Sequence, residues 1–236
     1  MNTGTLYLIP SSLGGTVNAD SLFPEYNLQV IRELNEFIVE NVRTARRFIS
    51  ALGHPLPIDQ LTFRELGKHT PEEVFASIIA PLLEGKDMGL LSEAGTPCIA
   101  DPGSAIVRIA HEKGIRIIPL IGPNSILLAL MGSGFNGQHF TFHGYLPVEK
   151  PDLIHRIRKI ESNAERWDQT QIFIETPYRN RKLFEYLVKT CKGQTLLCIA
   201  IDLTLPTQSI RTMTISEWSK ASPDLHKKPA VFLLYR

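Results

Sequence analysis

Hydrophobic and polar positions along the first half of the chain predict short strands separated by helices. Apolar runs of this length are typical of strands that are buried on both faces of a sheet. The predicted strands lie at residues 5–9, 37–39, 61–63 and 88–91 and from residue 115 onward. The predicted helices lie at residues 43–52, 70–85 and 103–113. This alternation predicts a parallel sheet with helices on both faces.

Two of the predicted helices have clear start signals. Thr70, Pro71 and Glu73 offer a capping hydroxyl, a proline in the first turn and a carboxylate at the third position. Asp101 and Pro102 offer a capping carboxylate followed by a residue whose φ suits a helix. We therefore expect helices to start near Thr70 and just after Asp101.

The second half has a different pattern, with helices near residue 127, at 151–165, up to 192 and at 216–221. Its candidate strands begin at residue 140 and cover 171–175, 195–201, 209–214 and 230–234. Short connections allow the last strands to pair with one another, which predicts a mixed sheet. The fold class is therefore α/β, with an N-terminal α/β domain at 1–120 and a C-terminal α/β domain at 121–236.

Composition is that of a soluble globular enzyme, with 43% hydrophobic and 21% charged residues among 236. Cys98, Cys191 and Cys198 lack the C-x-x-C spacing of metal or redox sites, so we expect no disulfide framework and no metal. This usage fits a reducing cytoplasm. Residues 1–120 carry 10 Lys/Arg against 14 Asp/Glu, and residues 121–236 carry 15 against 10. The net charge of +1 gives no broad cationic surface of the kind that nucleic-acid proteins usually have.

Loops rich in small residues follow the predicted strands at 10–15, 40–43, 92–97 and 122–125. Ligands of open parallel sheets bind beyond the carboxyl ends of the strands, so these loops are candidates for ligand contacts. Neither G-x-G-x-x-G nor the P-loop motif occurs in the sequence, which argues against dinucleotide and nucleoside-triphosphate binding.

Three motifs carry a family resemblance: S-E-A-G-T-P-x-I-x-D-P-G at 92–103, P-L-I-G-P-N-S at 119–125 and F-H-G-Y-L-P at 142–147. Together they resemble the S-adenosylmethionine-dependent tetrapyrrole methylase superfamily, and most of all the branch that methylates a cytidine ribose 2′-hydroxyl in small-subunit ribosomal RNA. The resemblance implies a two-domain fold with S-adenosylmethionine in the cleft between the domains. It also implies a homodimer that acts on ribosomal RNA or the small ribosomal subunit. No run of eighteen apolar residues occurs in the sequence, so we expect no membrane association.

The resemblance assigns functional residues by position. The implied cofactor contacts are Pro10, Glu93, Ala94, Gly95, Thr96, Pro97, Asp101, Gly122, Pro123, Asn124, Ser125, Tyr145, Leu146, Pro229 and Ala230. Methyl transfer to a hydroxyl also needs a proton acceptor and an anchored substrate. The implied catalytic candidates are Glu40 or His69 as proton acceptor, Arg43 or Arg179 as substrate anchor, and Glu175 and Asp202 in motifs near the same cleft.

Several substrate-region positions depart from the family pattern. Asn41 replaces an aspartate, and Ile201 and Leu205 replace two cations. Two alternatives therefore stay open. One is a methylase of a tetrapyrrole or another small molecule, which is disfavoured because the G-P-G-D first loop of those branches is absent. The other is a catalytically impaired protein that binds S-adenosylmethionine, which the neutral Asn41 suggests.

Overall fold

A computed structural model of the chain describes residues 3–15, 22–67 and 69–236. The chain divides into two compact units, of which the first ends at Asn124 and the second begins at Ser125. The sequence places this boundary four residues earlier. Within the described ranges, no helix has the length and apolar content needed to cross a bilayer.

The first unit alternates strands and helices, as its sequence predicts. Its elements are β1 (Thr5–Ile9), α1 (Glu25–Glu33), β2 (Glu36–Val39), α2 (Val42–Ala51), a 3₁₀ turn (Ile58–Gln60), β3 (Thr62–Glu65), α3 (Glu72–Leu83), β4 (Met88–Leu91), α4 (Gly103–Glu112) and β5 (Arg116–Pro119).

These strands form one parallel sheet in the order β3-β2-β4-β1-β5. One hydrophobic core joins α1 and α2 to the sheet around Ile31, Phe37 and Ile49. A second core joins α3 and α4 to the sheet around Ile79 and Ile106. The two cores contain alternate residues of the strands, so they lie on opposite faces of the sheet, and helices cover both faces. The predicted α/β architecture is therefore confirmed.

The order of the strands defines where a ligand would bind. The neighbouring strands β1 and β4 send the chain in opposite directions along the sheet, from β1 towards β2 and from β4 towards β5. A reversal of this kind leaves a crevice beyond the carboxyl ends of the two strands.

The second unit has a mixed sheet in the order β6-β7-β10-β8-β9. Only β6 and β7 are parallel neighbours, and the remaining pairs are antiparallel. Its elements are α5 (Ser125–Ser133), β6 (Phe140–Tyr145), α6 (Lys150–Trp167), β7 (Thr170–Ile174), α7 (Asn180–Thr190), β8 (Leu196–Ile201), β9 (Ser209–Thr214), α8 (Ile215–Trp218) and β10 (Ala230–Tyr235).

One core fills the space between this sheet and helices α6, α7 and α8. Trp218 is fully enclosed there, and its Nε1 donates to the carbonyl oxygen of Leu197 at 2.8 Å. Phe173 and Phe232 stack side by side on adjacent strands with ring centroids 6.0 Å apart. The large buried aromatic area fixes the sheet against its helices.

Two local features differ from the sequence-based expectation. Helix α1 is absent from the predicted elements. Helix α3 starts two residues after Thr70, whose hydroxyl instead accepts a hydrogen bond from the Gly67 N–H at 2.8 Å. The first turn of α3 has no side-chain cap, and Glu72 and Glu73 lie at its positive end.

Candidate active site

Three loops at the carboxyl edge of the parallel sheet are tied to one another. The Ser11 N–H, just after β1, donates to the Gly95 carbonyl oxygen at 2.9 Å. The Ser92 hydroxyl donates to the same oxygen at 2.9 Å. The Thr96 hydroxyl donates to the Pro123 carbonyl oxygen, after β5, at 3.1 Å. These bonds join the loops after β1, β4 and β5 into one rim.

Two glycines let these loops approach closely. Gly95 has a φ of +74°, and a Cβ there would lie 2.9 Å from Leu13 and 3.2 Å from the Pro123 oxygen. A Cβ on Gly122 would lie 2.2 Å from Cγ of Pro10. A side chain at Gly122 would push the loops apart, and one at Gly95 would be strained by the positive φ, which explains the glycine at each position.

A cavity of about 390 Å³ opens at the carboxyl ends of β1, β2 and β4. Apolar side chains form part of its wall, and hydroxyl, amide and charged groups form the rest. The lining residues are Ser11, Ser12, Leu13, Gly14, Gly15, Val39, Glu40, Asn41, Thr44, Ala45, Arg47, Phe48, Ala51, Leu91, Ser92, Glu93 and Ala94. This is a size and lining suited to a small organic group.

Two carboxylates lie side by side in the cavity wall. The Glu93 N–H donates to Oε1 of Glu40 at 3.0 Å, which links the loop after β4 to the end of β2. The Thr44 hydroxyl, on the first turn of α2, contacts Oε1 of Glu93. Glu40 is thus positioned by main chain, and Glu93 by a hydroxyl on a regular helix.

Asn41 caps helix α2 with its side chain. Its Oδ1 accepts from the N–H groups of Arg43 at 2.9 Å and Thr44 at 3.2 Å. Asparagine and aspartate are about equally good at this position because both offer the same acceptor oxygen. The neutral side chain therefore fulfils a structural role that a carboxylate would also fulfil.

Ser11 is a cavity residue that sequence reasoning did not single out. It is 5% exposed, and its Oγ has no hydrogen-bond partner among the described residues. The sequence analysis also missed Thr44 and Arg47, which line the cavity. Thr44 lies three residues after Asn41 and four before Phe48, a spacing that already places these three residues on one helix face. A buried hydroxyl without a partner beside a cavity is a candidate ligand contact.

Asp101 uses both carboxylate oxygens to hold its own loop. Oδ1 accepts from the Gly103 N–H at 2.7 Å and Oδ2 from the Cys98 N–H at 2.8 Å. Burial raises the pKa of Asp101, and these main-chain hydrogen bonds oppose the rise. Cys98 and Ala100 have left-handed φ values of 67° and 65°, so the carboxylate braces a strained turn.

Other candidates from the first unit lie outside the cavity wall. His69 follows β3, which is the edge strand and is separated from β4 by β2. Arg43 is exposed at the start of α2, and Arg47, one turn later, lines the cavity instead. Asn124 donates from Nδ2 to the Thr96 hydroxyl at 3.2 Å, which adds a further bond to the rim.

The candidates from the second unit lie at one edge of the mixed sheet. Strands β6, β7 and β8 run in the same direction there, and β10 begins at that edge. Tyr145 ends β6, Glu175 follows β7, Asp202 follows β8, and Pro229 precedes β10. Leu146 and Ala230 are buried in the core of the unit. The assignment of Tyr145, Leu146, Pro229 and Ala230 to the adenosine pocket stays a prediction.

The charged residues of this edge have partners. Buried Glu175 accepts from the Thr176 N–H at 2.7 Å and pairs with Arg179 at 3.1 Å. Buried Asp202 accepts from the Thr207 hydroxyl at 2.9 Å. The described residues contain no group of three or more histidine, cysteine, aspartate or glutamate side chains placed to hold a metal ion.

The fold is shared with known methyltransferase structures. The methyltransferase CobJ superposes with a TM-score of 0.65 and 18% identity, over 100% of this chain and 95% of CobJ. The cobalt precorrin-4 methyltransferase CbiF superposes with a TM-score of 0.60 and 14% identity, over 98% of this chain and 94% of CbiF. At these identities the likeness concerns the fold alone.

The sequence matches the family of tetrapyrrole (corrin/porphyrin) methylases over residues 27–218, and the chain belongs to that family. It is an S-adenosylmethionine-dependent methyltransferase, which confirms the predicted enzyme class and cofactor. Two relatives bear the name ribosomal RNA small subunit methyltransferase I. The Pseudomonas aeruginosa protein is 29% identical over 92% of this chain and 72% of its own length. The Haemophilus influenzae protein is 28% identical over 98% of this chain and 78% of its own length.

Proposed function

We propose that this enzyme methylates a ribose 2′-hydroxyl of small-subunit ribosomal RNA. The names of the Pseudomonas and Haemophilus relatives support ribosomal RNA as the acceptor. The observation that carries the proposal is the cavity in which Glu40, Glu93 and the unpartnered Ser11 hydroxyl lie together. Its groups accept and donate hydrogen bonds, as a nucleoside requires.

In this proposal the rim formed by residues 92–97 and 122–125 holds the methyl donor. Bound S-adenosylmethionine supplies the methyl group on a sulfonium. The Gly95 and Pro123 carbonyl oxygens already accept bonds within the rim, so its geometry is set before any ligand arrives. A preformed site avoids the cost of ordering loops on binding.

Glu40 is the proposed proton acceptor. The ribose oxygen would take the methyl group as its C–S bond to the sulfonium breaks and the thioether S-adenosylhomocysteine leaves, and the hydroxyl proton would pass to the Glu40 carboxylate. The Glu93 N–H fixes one Glu40 oxygen at 3.0 Å, which orients the carboxylate. Ser11 and Arg47 are the proposed acceptor contacts. Arg43, His69, Glu175, Arg179 and Asp202 keep their predicted roles as alternatives.

Two observations disfavour the alternatives. A tetrapyrrole carries several carboxylates, whereas the described residues of the cavity wall offer Glu40 and Glu93 beside one cation, Arg47. Like charges inside one site repel, so a ring that brings several carboxylates into the cavity is a poor fit, whereas the ribose of a nucleoside is uncharged. The impaired-enzyme alternative rested on Asn41, and the capping role of this side chain already explains an asparagine at this position.

Transfer of a tritiated methyl group tests the proposal. The purified enzyme is incubated with labelled S-adenosylmethionine and, in parallel, with small ribosomal subunits, deproteinised ribosomal RNA and a small-molecule extract. We expect label at a ribose of the RNA. Label found only in a small molecule would overturn the proposed acceptor.

The Glu40→Gln variant tests the proton acceptor. We expect kcat to fall by roughly 10²-fold or more, since general-base catalysis contributes at least that much. Cofactor affinity by calorimetry should not change. Glu65→Gln is the matched control, because Glu65 is an exposed carboxylate at the same sheet edge and outside the cavity wall. An equal loss in both variants would remove Glu40 from the mechanism.

We further propose a cytoplasmic homodimer. Met131 is 78% exposed on α5, a short and almost wholly apolar helix. An apolar helix of this kind is normally covered. Light scattering coupled to size-exclusion chromatography should give twice the chain mass, and a single-chain mass would exclude the dimer.

A further inference from the structure

One face of helix α6 carries a continuous group of basic side chains. Leu153, Ile157, Ile160, Glu161 and Ala164 form the buried face of this helix. The exposed arc opposite them holds His155, Arg158, Lys159 and Arg166, which we call the α6 basic face, together with Asp152, Ser162 and Glu165. At about 100° per residue the four basic side chains fall within one arc that is centred away from the core, so all four point to solvent.

The cations of the α6 basic face form no direct ion pair with a carboxylate of the described residues. Arg158, Lys159 and Arg166 take part in none of the ion pairs formed by the described residues. The nearby carboxylate Glu165 pairs with Lys192 at 2.6 Å. Three cations that form no ion pair with a described residue therefore share the exposed side of one regular helix.

An aromatic side chain lies at the C-terminal end of α6, to one side of the α6 basic face. Trp167 is 52% exposed, and the Arg166 guanidinium lies 4.6 Å from the centre of its ring. An exposed indole next to cations is the combination that proteins use to stack nucleic-acid bases beside bound phosphates.

We propose that the α6 basic face is a docking surface for the phosphate backbone of the substrate RNA. This inference rests on the proposed function and adds a second contact, outside the cavity. The face is about 16 Å long from His155 to Arg166 at 1.5 Å per residue. One nucleic-acid strand presents on the order of five phosphates over such a length.

An anionic membrane is the other surface that a basic helix can bind. Helices that lie on membranes insert an apolar face between the lipids. The apolar face of α6 is already buried in the core of its unit, and Trp167 is the one large apolar side chain that the helix exposes. The observations therefore favour RNA.

Salt dependence of RNA binding tests the inference. The Kd for deproteinised small-subunit ribosomal RNA is measured by fluorescence anisotropy at salt concentrations from about 0.05 to 0.3 M, where counterion release is observed. In the triple variant R158Q/K159Q/R166Q, the slope of log K against log salt should fall by about 2 to 3, since each lost phosphate contact removes about 0.7 to 0.9. Affinity at about 0.1 M salt should fall at least tenfold.

The matched control removes three cations that are each paired with a carboxylate. The variant K86Q/R108Q/R181Q also removes three positive charges, so it changes the net charge as much as the α6 variant does. Its three residues pair with Glu84, Glu72 and Glu185, respectively. We expect its slope to match the unmodified enzyme. Both variants should bind S-adenosylmethionine normally, which shows that they are folded.

Each remaining outcome decides the question. An unchanged slope in the α6 variant, or an equal fall in the control, overturns the docking surface even if the unmodified enzyme methylates RNA. An enzyme that neither binds nor methylates RNA overturns the proposed function and this inference together. Loss of binding to phosphatidylserine vesicles with intact RNA binding assigns the face to a membrane and overturns it as well.

Discussion

Replacing Gly122 with alanine tests whether close packing of the loops creates the donor site. Gly122 has no positive φ, so its backbone accepts alanine without strain. The added Cβ would lie 2.2 Å from Cγ and 2.6 Å from Cβ of Pro10. Carbon atoms need a separation of about 3.5 to 4.0 Å. Because the proline ring is fixed to its backbone, the loops after β1 and β5 must separate by more than about 1 Å.

The expected cost follows from that displacement. Overpacking of this kind lowers the free energy of unfolding by about 1 to 3 kcal/mol. Replacing glycine with alanine also reduces the entropy of the unfolded chain, which raises the free energy of unfolding by about 0.4 to 1 kcal/mol. A displacement of about 1 Å at a reacting site lowers the rate by roughly 10²-fold. We therefore expect Gly122→Ala to lower the melting temperature by several degrees and kcat/KM by about two orders of magnitude.

Gly137→Ala is the control for this prediction. Gly137 has no positive φ, and nothing lies within 4 Å of a Cβ built there. Differential scanning calorimetry and titration with S-adenosylhomocysteine compare the two variants. If Gly122→Ala melts and binds like Gly137→Ala, then contact between Pro10 and Gly122 does not shape the rim, and the argument from loop packing is wrong.

Three further predictions concern single side chains. Asn41→Ala should destabilise the enzyme by about 1 kcal/mol through loss of the cap, whereas Asn41→Asp should keep both stability and turnover, as measured by urea unfolding and methyl transfer. Burial lowers the pKa of His143, the Gln171 hydrogen bond opposes this, and Arg156 adds to it. Because the unfolded chain then binds the proton more readily, stability should be full above about pH 6.5 and decline below it, and melting curves of His143→Gln should lack that decline. Ser11→Ala should leave the melting temperature equal or higher, because a buried hydroxyl without a partner is removed, yet lower kcat/KM for RNA by roughly fivefold to tenfold. A lower melting temperature with unchanged kinetics would make Ser11 merely structural.

Much of the fold was predictable because strongly apolar runs of this chain are central strands. The predicted and observed bounds of β1 and β4 agree, since β4 is buried throughout, β1 is buried at Leu6 and Ile9, and both end in small-residue loops. Helix α1 was missed because a polar residue occupies a core position. Asn27 is buried and its Nδ2 donates to the Ile121 carbonyl oxygen at 2.6 Å, so the helix does not show a clean apolar stripe. Pro24 before it also offers no capping side chain.

The site was predictable as loops but not as contacts. The motif at 92–103 marks the loop after β4, yet the roles of Ser11 and Thr44 depend on the pairing of β1, β2 and β4 across the sheet. No local spacing encodes that a hydroxyl on α2 reaches Glu93. Asp101 shows the reverse case, because its hydrogen bond to the Gly103 N–H is local, although the cap position of α4 is Pro102 and not Asp101 as predicted.

The bonds that join the loops have a consequence for redesign. The acceptor atoms at Gly95 and Pro123 belong to the peptide backbone, so they persist whatever side chains surround them. Libraries that vary Ser12, Leu13 and Ala94 would therefore change which acceptor the cavity can bind, while the rim that holds the methyl donor keeps its geometry. An enzyme arranged in this way can acquire new acceptors by changing a few wall positions.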